Sequence, residues 1–161
     1  MSLTVVNTPL LRIPAEAIVN RANMGLQYSS GLCGEIFDAA GKLALQRACC
    51  SIGSCSVGEA VVTEGFSLPA KYIIHAVPPR WCGGKYGEDR LLAACYENAL
   101  KTALALGVHT VAFPLLSEER CGYPSDRGEA IARASLERLA SDEIQVYLSL
   151  PKTASEGYGA Q

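Results

Sequence analysis

Short apolar runs alternate with segments of helical period along most of this chain, and that alternation restricts it to an α/β architecture. Residues 3–6, 17–19, 59–63, 72–77, 110–114 and 145–150 read as strands. Residues 34–40, 42–50, 88–106 and 126–139 read as helices. The pattern is clearest over 88–106, where Leu92, Cys95, Tyr96, Ala99, Leu100 and Ala103 recur at three- and four-residue steps and Gly107 is placed to cap the end. In 42–50, Leu43, Leu45 and Ala48 are the inward candidates, and 52–58 reads as a loop from its Gly and Ser content. The run 72–77 is apolar enough to be a central strand. The expected fold is an α/β sandwich whose mostly parallel sheet is covered on both faces.

With 161 residues, the chain is expected to form one domain over residues 1–151, followed by a polar tail at 152–161. Hydrophobic residues make up 49% and charged residues 19%, a globular balance. The formal net charge of −2 and the lack of a Lys/Arg cluster argue against general nucleic-acid binding. Neither a membrane span nor a signal peptide is legible, so a cytoplasmic protein is expected. The cysteines number seven, an odd count at irregular spacing without a C-x-x-C pair, and there are two histidines. That pattern suits reduced, buried thiols and predicts neither a metal site nor a resident cofactor.

Two stretches, 17–34 and 112–124, leave the carboxyl ends of strands and lead through small and polar residues into helices. In open α/β sheets that is where ligands bind, because loop N–H groups and helix N-termini offer donors to an anion. The second stretch also carries Glu118 and Glu119, which a phosphate would not favour.

The run 17–41, then Gly58-Glu59-Ala60 with Thr63, then Leu68 to His75, resembles a macro domain. So do Leu92 with Cys95-Tyr96, and Ala112-Phe113-Pro114 with Gly122-Tyr123-Pro124. The resemblance extends over roughly residues 3–150. It implies a three-layer α/β/α sandwich with a mixed, mostly parallel sheet of about six strands. It also implies binding of ADP-ribose or a related nucleotide, and in some members hydrolysis of ADP-ribosyl or O-acetyl-ADP-ribose adducts.

Carried over position by position, Asn20 and Asn23 match the family's paired asparagines, the second of which usually faces the distal ribose. Holding the strand end and the turn is the competing role for both. Ser29, Ser30, Gly31, Leu32 and Gly34 match the glycine-rich first phosphate loop, with serines in place of two glycines and Ser30 a candidate helix cap. Cys33 stands where many hydrolytic members carry an aspartate, and a neutral thiol supplies no standing carboxylate. Pro9, beside Leu10 at the adenine end, replaces an aspartate acceptor, a loss of about 1–3 kcal/mol. Ser117, Arg120, Cys121, Gly122 and Tyr123 match the second phosphate loop, where Glu119 replaces a glycine. Glu118 or Glu119 could take the acid or base role that Cys33 lacks, and Arg120 could offset their charge. His75 is expected to be a strand residue with a satisfied ring. Trp81, Tyr86, Leu150 and Pro151 are peripheral candidates for ligand cover.

Three functions stay open. The chain hydrolyses an ADP-ribose adduct, reads ADP-ribose without chemistry, or uses a divergent macro fold for another small ligand or a protein partner. ADP-ribosylated protein is the macromolecular partner implied by the first two.

Overall fold

The computed structural model describes residues 3–117 and 122–150. Glu118, Glu119, Arg120 and Cys121 therefore lie outside the described residues, as do Pro151 and the expected tail.

The chain runs β1 (Leu3–Val6), a 3₁₀ turn (Leu10–Arg12), β2 (Ala17–Arg21), α1 (Leu32–Ala40), α2 (Lys42–Ile52), β3 (Ala60–Glu64) and β4 (Tyr72–Ala76). It continues through α3 (Glu88–Leu106), β5 (Thr110–Phe113), α4 (Ser125–Leu139) and β6 (Gln145–Ser149). The strands form one 6-stranded sheet in the order β1-β6-β5-β2-β4-β3. Every neighbouring pair is parallel except β3 and β4, which form an antiparallel edge. The sheet is mixed because 65–71 is too short for a crossover helix, so β4 returns beside β3 as a hairpin.

Strand side chains alternate between two cores, as the pleat requires. Val19, Ile74, Val111, Phe113, Val146 and Leu148 face α3 and α4. Ile18, Ile73, Ala112 and Tyr147 face α1 and α2, whose Ile36, Phe37, Leu45 and Cys49 close the other side. The α/β/α sandwich follows from these two clusters.

Several boundaries move. β2 extends through Arg21, so Asn20 is a strand residue. α1 starts at Leu32, and its cap is Gly31 at φ 76°, with no side-chain cap bond from Ser30. A backbone turning at positive φ favours glycine over serine there. α2 reaches Ile52, taking in a residue read as loop. Leu43 is not inward: it is 65% exposed, and the buried stripe of α2 is Leu45 and Cys49, one helical turn apart.

Candidate functional site

β2 and β5 are parallel neighbours, with Ala17 opposite Val111 and Ile18 opposite Ala112. The two stretches singled out in the sequence therefore emerge side by side at the same end of the sheet. Arg21 ties them: its Nε donates to the carbonyl oxygen of Leu115 at 3.0 Å.

The first stretch is built over a buried polar chain. Asn20 and His75 are register partners on β2 and β4, and both point toward the α1 side. Asn20 Nδ2 lies 3.1 Å from His75 Nδ1. His75 Nε2 lies 3.0 Å from Thr63 Oγ1, which donates to the carbonyl oxygen of Glu64. An amide nitrogen only donates, so Nδ1 accepts and Nε2 carries the proton. Burial pushes the ring's pKa down to about 4, so it is neutral at physiological pH. The expectation of a satisfied strand histidine matches this geometry.

Asn20 also donates to Cys33 Sγ at 3.7 Å, and the thiol donates to the carbonyl oxygen of Gln27 at 3.7 Å. Cys33 is 4% exposed on the first turn of α1. His75 reaches it only through the amide of Asn20.

Asn23 closes its own turn. Its Oδ1 accepts from Gln27 N and its Nδ2 donates to Gln27 O, both at 2.9 Å. Gln46 on α2 fixes the next segment, accepting from Tyr28 N and donating to Leu26 O. Tyr28 lies edge-on to Phe37, with the Lys42 ammonium 4.1 Å from its ring centre. Ser29 is half-buried and Ser30 exposed, just before the Gly31 turn and Leu32. Gly34 is buried in α1, where a Cβ would lie 2.6 Å from Ser29 O. This close approach keeps the first loop pressed on the helix.

The second stretch is held from α3. Leu116 N donates to Tyr96 Oη at 2.7 Å in the core, which places Ser117, 9% exposed, at the lip. Beyond 118–121, the Tyr123 ring is buried and its hydroxyl donates to Asp89 at 2.6 Å. The Tyr123 ring is thus packed inward. Arg127 donates to the same carboxylate through Nε at 2.7 Å. Trp81 packs tilted against Tyr123, with ring centres 4.8 Å apart and planes 55° apart, and the Arg127 guanidinium lies 5.2 Å over the Trp81 ring. Desolvation pushes the Tyr123 phenol up, and the Asp89 carboxylate pushes it the same way.

Glu88 organises the loop that carries Trp81. Its carboxylate, 2% exposed, accepts from Cys82 N, Gly84 N and Tyr86 N. Burial alone would raise its pKa, but these N–H groups together hold it below the ordinary carboxylate range. Tyr86 itself is 74% exposed. At the far side, Pro9 is exposed and starts the 3₁₀ turn, while Leu10 is buried in the core against α1 and α2. Leu150 N donates to Val6 O, and Ser149 Oγ donates to Thr8 O, so the end of β6 packs beside Pro9.

Arg21, Asp89, Tyr96 and Arg127 escaped the sequence reading as site-shaping residues. Tyr96 read as a core position of α3, whereas Asp89 and Arg127 fell inside the helical segments 88–106 and 126–139 without a role of their own. Their partners are distant in sequence and only the fold supplies them. Among the described residues, no group of three or more His, Cys, Asp or Glu side chains is arranged to hold a metal. No helix among them is long and apolar enough to cross a membrane.

Comparison with known proteins accounts for this arrangement. The macro domain family model matches residues 19–132. A macro domain-containing protein of Chlorobaculum tepidum is 41% identical over 138 residues, covering 86% of this chain and 80% of that protein. A protein of Pantoea vagans named O-acetyl-ADP-ribose deacetylase 1 is 40% identical over 135 residues, covering 81% of this chain and 78% of that one. Among solved structures, a macrodomain of Oceanobacillus iheyensis with ADP superposes with a TM-score of 0.86 at 32% identity, covering 92% of this chain and 82% of that one. With this family match over most of its length, and with both loops at the crevice end of the same two strands, the chain belongs to the macro domain family.

Proposed function

We propose that this protein binds ADP-ribose, or a closely related nucleoside diphosphate sugar, in the crevice beyond the carboxyl ends of β2 and β5. The observation that carries this reading is that the segments leaving β2 toward Asn23–Gly34 and leaving β5 toward Ser117 start at the same end of two paired parallel strands. Ligands of α/β sheets bind in that position. The relatives support it: one is named for O-acetyl-ADP-ribose and a structural neighbour holds ADP.

In this reading Ser29, Ser30, Gly31 and Gly34 cradle phosphate on one side, and Ser117 and Gly122 flank it on the other. Asn23 faces the distal ribose. Pro9 offers no side-chain acceptor at the base end, so selection for adenine rests on shape and stacking.

Calorimetric titration with ADP-ribose tests the proposal, and the absence of heat at high micromolar ligand would overturn it. Hydrolysis is a second proposal for the same crevice. Cys33 supplies no carboxylate and its thiol already donates to Gln27 O, so the acid or base comes from Glu118 or Glu119. Glu118→Gln and Glu119→Gln variants that both turn over O-acetyl-ADP-ribose at the wild-type rate would refute that assignment.

A further inference from the structure

Gly128 lies in the first turn of α4, buried, with its N–H donated to Pro124 O in ordinary helical fashion. Nothing in the helix backbone calls for glycine there. The reason lies across the gap: a Cβ at this position would fall 2.1 Å from Ser117 Oγ and 2.7 Å from Ser117 Cβ. The hydroxyl could rotate away from an added methyl group. The Cβ could not, because it is fixed to the main chain, so the backbone at Ser117 would have to move.

We propose that Gly128 is a positioning residue for ligand binding, its missing side chain forming the seat on which Ser117 rests at the lip of the crevice. The first loop has the matching device, since a Cβ on Gly34 of α1 would meet Ser29 O at 2.6 Å. Each loop is thus set by a glycine in the first turn of the helix that follows it. The contact extends to the far side of the 118–121 stretch. A Cβ on Gly128 would also lie 3.7 Å from Tyr123 Cδ1, on the ring that packs tilted against Trp81, and a Cβ on Gly122 would lie 3.6 Å from Trp81 Cδ1. A side chain at this one helix position would therefore press on Ser117 and reach the Trp81–Tyr123 pair.

This inference rests on the reading of the crevice as an ADP-ribose site, and the experiment separates the two. Alanine has a higher helix propensity than glycine, so a purely local role predicts that Gly128→Ala leaves the thermal midpoint unchanged or raised and binding intact. A seat for Ser117 predicts instead a loss of roughly tenfold or more in affinity for ADP-ribose by calorimetry. The protein has 1 tryptophan, so the emission of Trp81 in the ligand-free protein is a second readout. It should change in Gly128→Ala. In a Ser117→Gly background, where both obstructing atoms are gone, adding Gly128→Ala should alter neither emission nor affinity. Wild-type affinity and unchanged Trp81 emission in Gly128→Ala would overturn the proposal, as would an equal effect of that substitution in the Ser117→Gly background. If the wild type fails to bind ADP-ribose, the functional reading falls, and the emission cycle still decides whether Gly128 seats Ser117.

Discussion

Asn20 and His75 meet across β2 and β4, amide nitrogen to ring nitrogen at 3.1 Å, because parallel register sets them side by side. Burial keeps the histidine neutral, held between Asn20 and Thr63, and makes the base of the first loop sensitive to acid. The folded ring has a pKa of about 4 against an ordinary value of 6.5. Between those values the unfolded chain binds more protons, so stability rises with pH. The contribution is complete above the unfolded value and is lost as pH falls through the folded one, about 3 kcal/mol in all. Denaturant midpoints measured across this window should fall toward acid, and His75→Gln should flatten the slope.

Tyr96 holds the start of the second loop from inside the core. Its hydroxyl accepts from Leu116 N inside the core, one residue before Ser117. Tyr96→Phe leaves that N–H unpaired and should cost about 1–3 kcal/mol in equilibrium unfolding. ADP-ribose affinity should fall with it. A variant of wild-type stability would show that Leu116 N finds another acceptor.

Glu88 gathers the N–H groups of Cys82, Gly84 and Tyr86 on one carboxylate. Glu88→Gln replaces an acceptor oxygen with a donor facing donors. Amide hydrogen exchange at these three positions should accelerate, while exchange in the sheet stays slow. Uniform acceleration throughout the chain would instead mean that Glu88 supports the global fold.

The cysteines divide by burial. Cys50 and Cys82 are exposed, while Cys33, Cys49 and Cys95 are buried. Burial raises the Cys49 thiol to about 11 and the Cys95 thiol to about 12. A brief pulse of alkylating reagent read by peptide mass spectrometry should label Cys50 and Cys82 and spare Cys33, Cys49 and Cys95. Early labelling of Cys33 would show that the first loop opens readily.

Asn23 spends both ends of its amide on Gln27. Asn23→Ala removes the turn bonds and the proposed ribose contact together, and a roughly tenfold loss of ADP-ribose affinity is expected. Gln27→Ala removes only the side chain of the partner and leaves its backbone groups bonded, so its affinity should stay near wild type. Wild-type affinity in Asn23→Ala would remove Asn23 from ligand contact.

Much of the fold was legible because its signals are local. The helix 88–106 was read to the residue, since its apolar stripe and Gly107 both lie within the segment. Strand positions were recovered within a residue or two. Errors fell where periodicity is short: Leu43 was read inward on α2, although the stripe is set by Leu45 and Cys49. The Ser30 cap failed because the turn places Gly31 there at positive φ.

The site was legible as two loops but not as an assembly. The sequence put Asn20 and Cys33 in one stretch, but it could not reveal their contact or that His75 and Thr63 extend it, because those two residues arrive on other strands. Nor could it join Asp89 to Tyr123 and Arg127, or Gly128 to Ser117, across separate elements.

The sequence by itself determined the α/β class and the two loops that frame the crevice, because helical period, strand alternation and turn residues act over a few neighbouring positions. Only the tertiary structure decided how those loops are held. Strand order, register and helix packing bring together groups that no spacing predicts, and there steric exclusion and buried hydrogen bonds set the positions of Ser117, Cys33 and Tyr123.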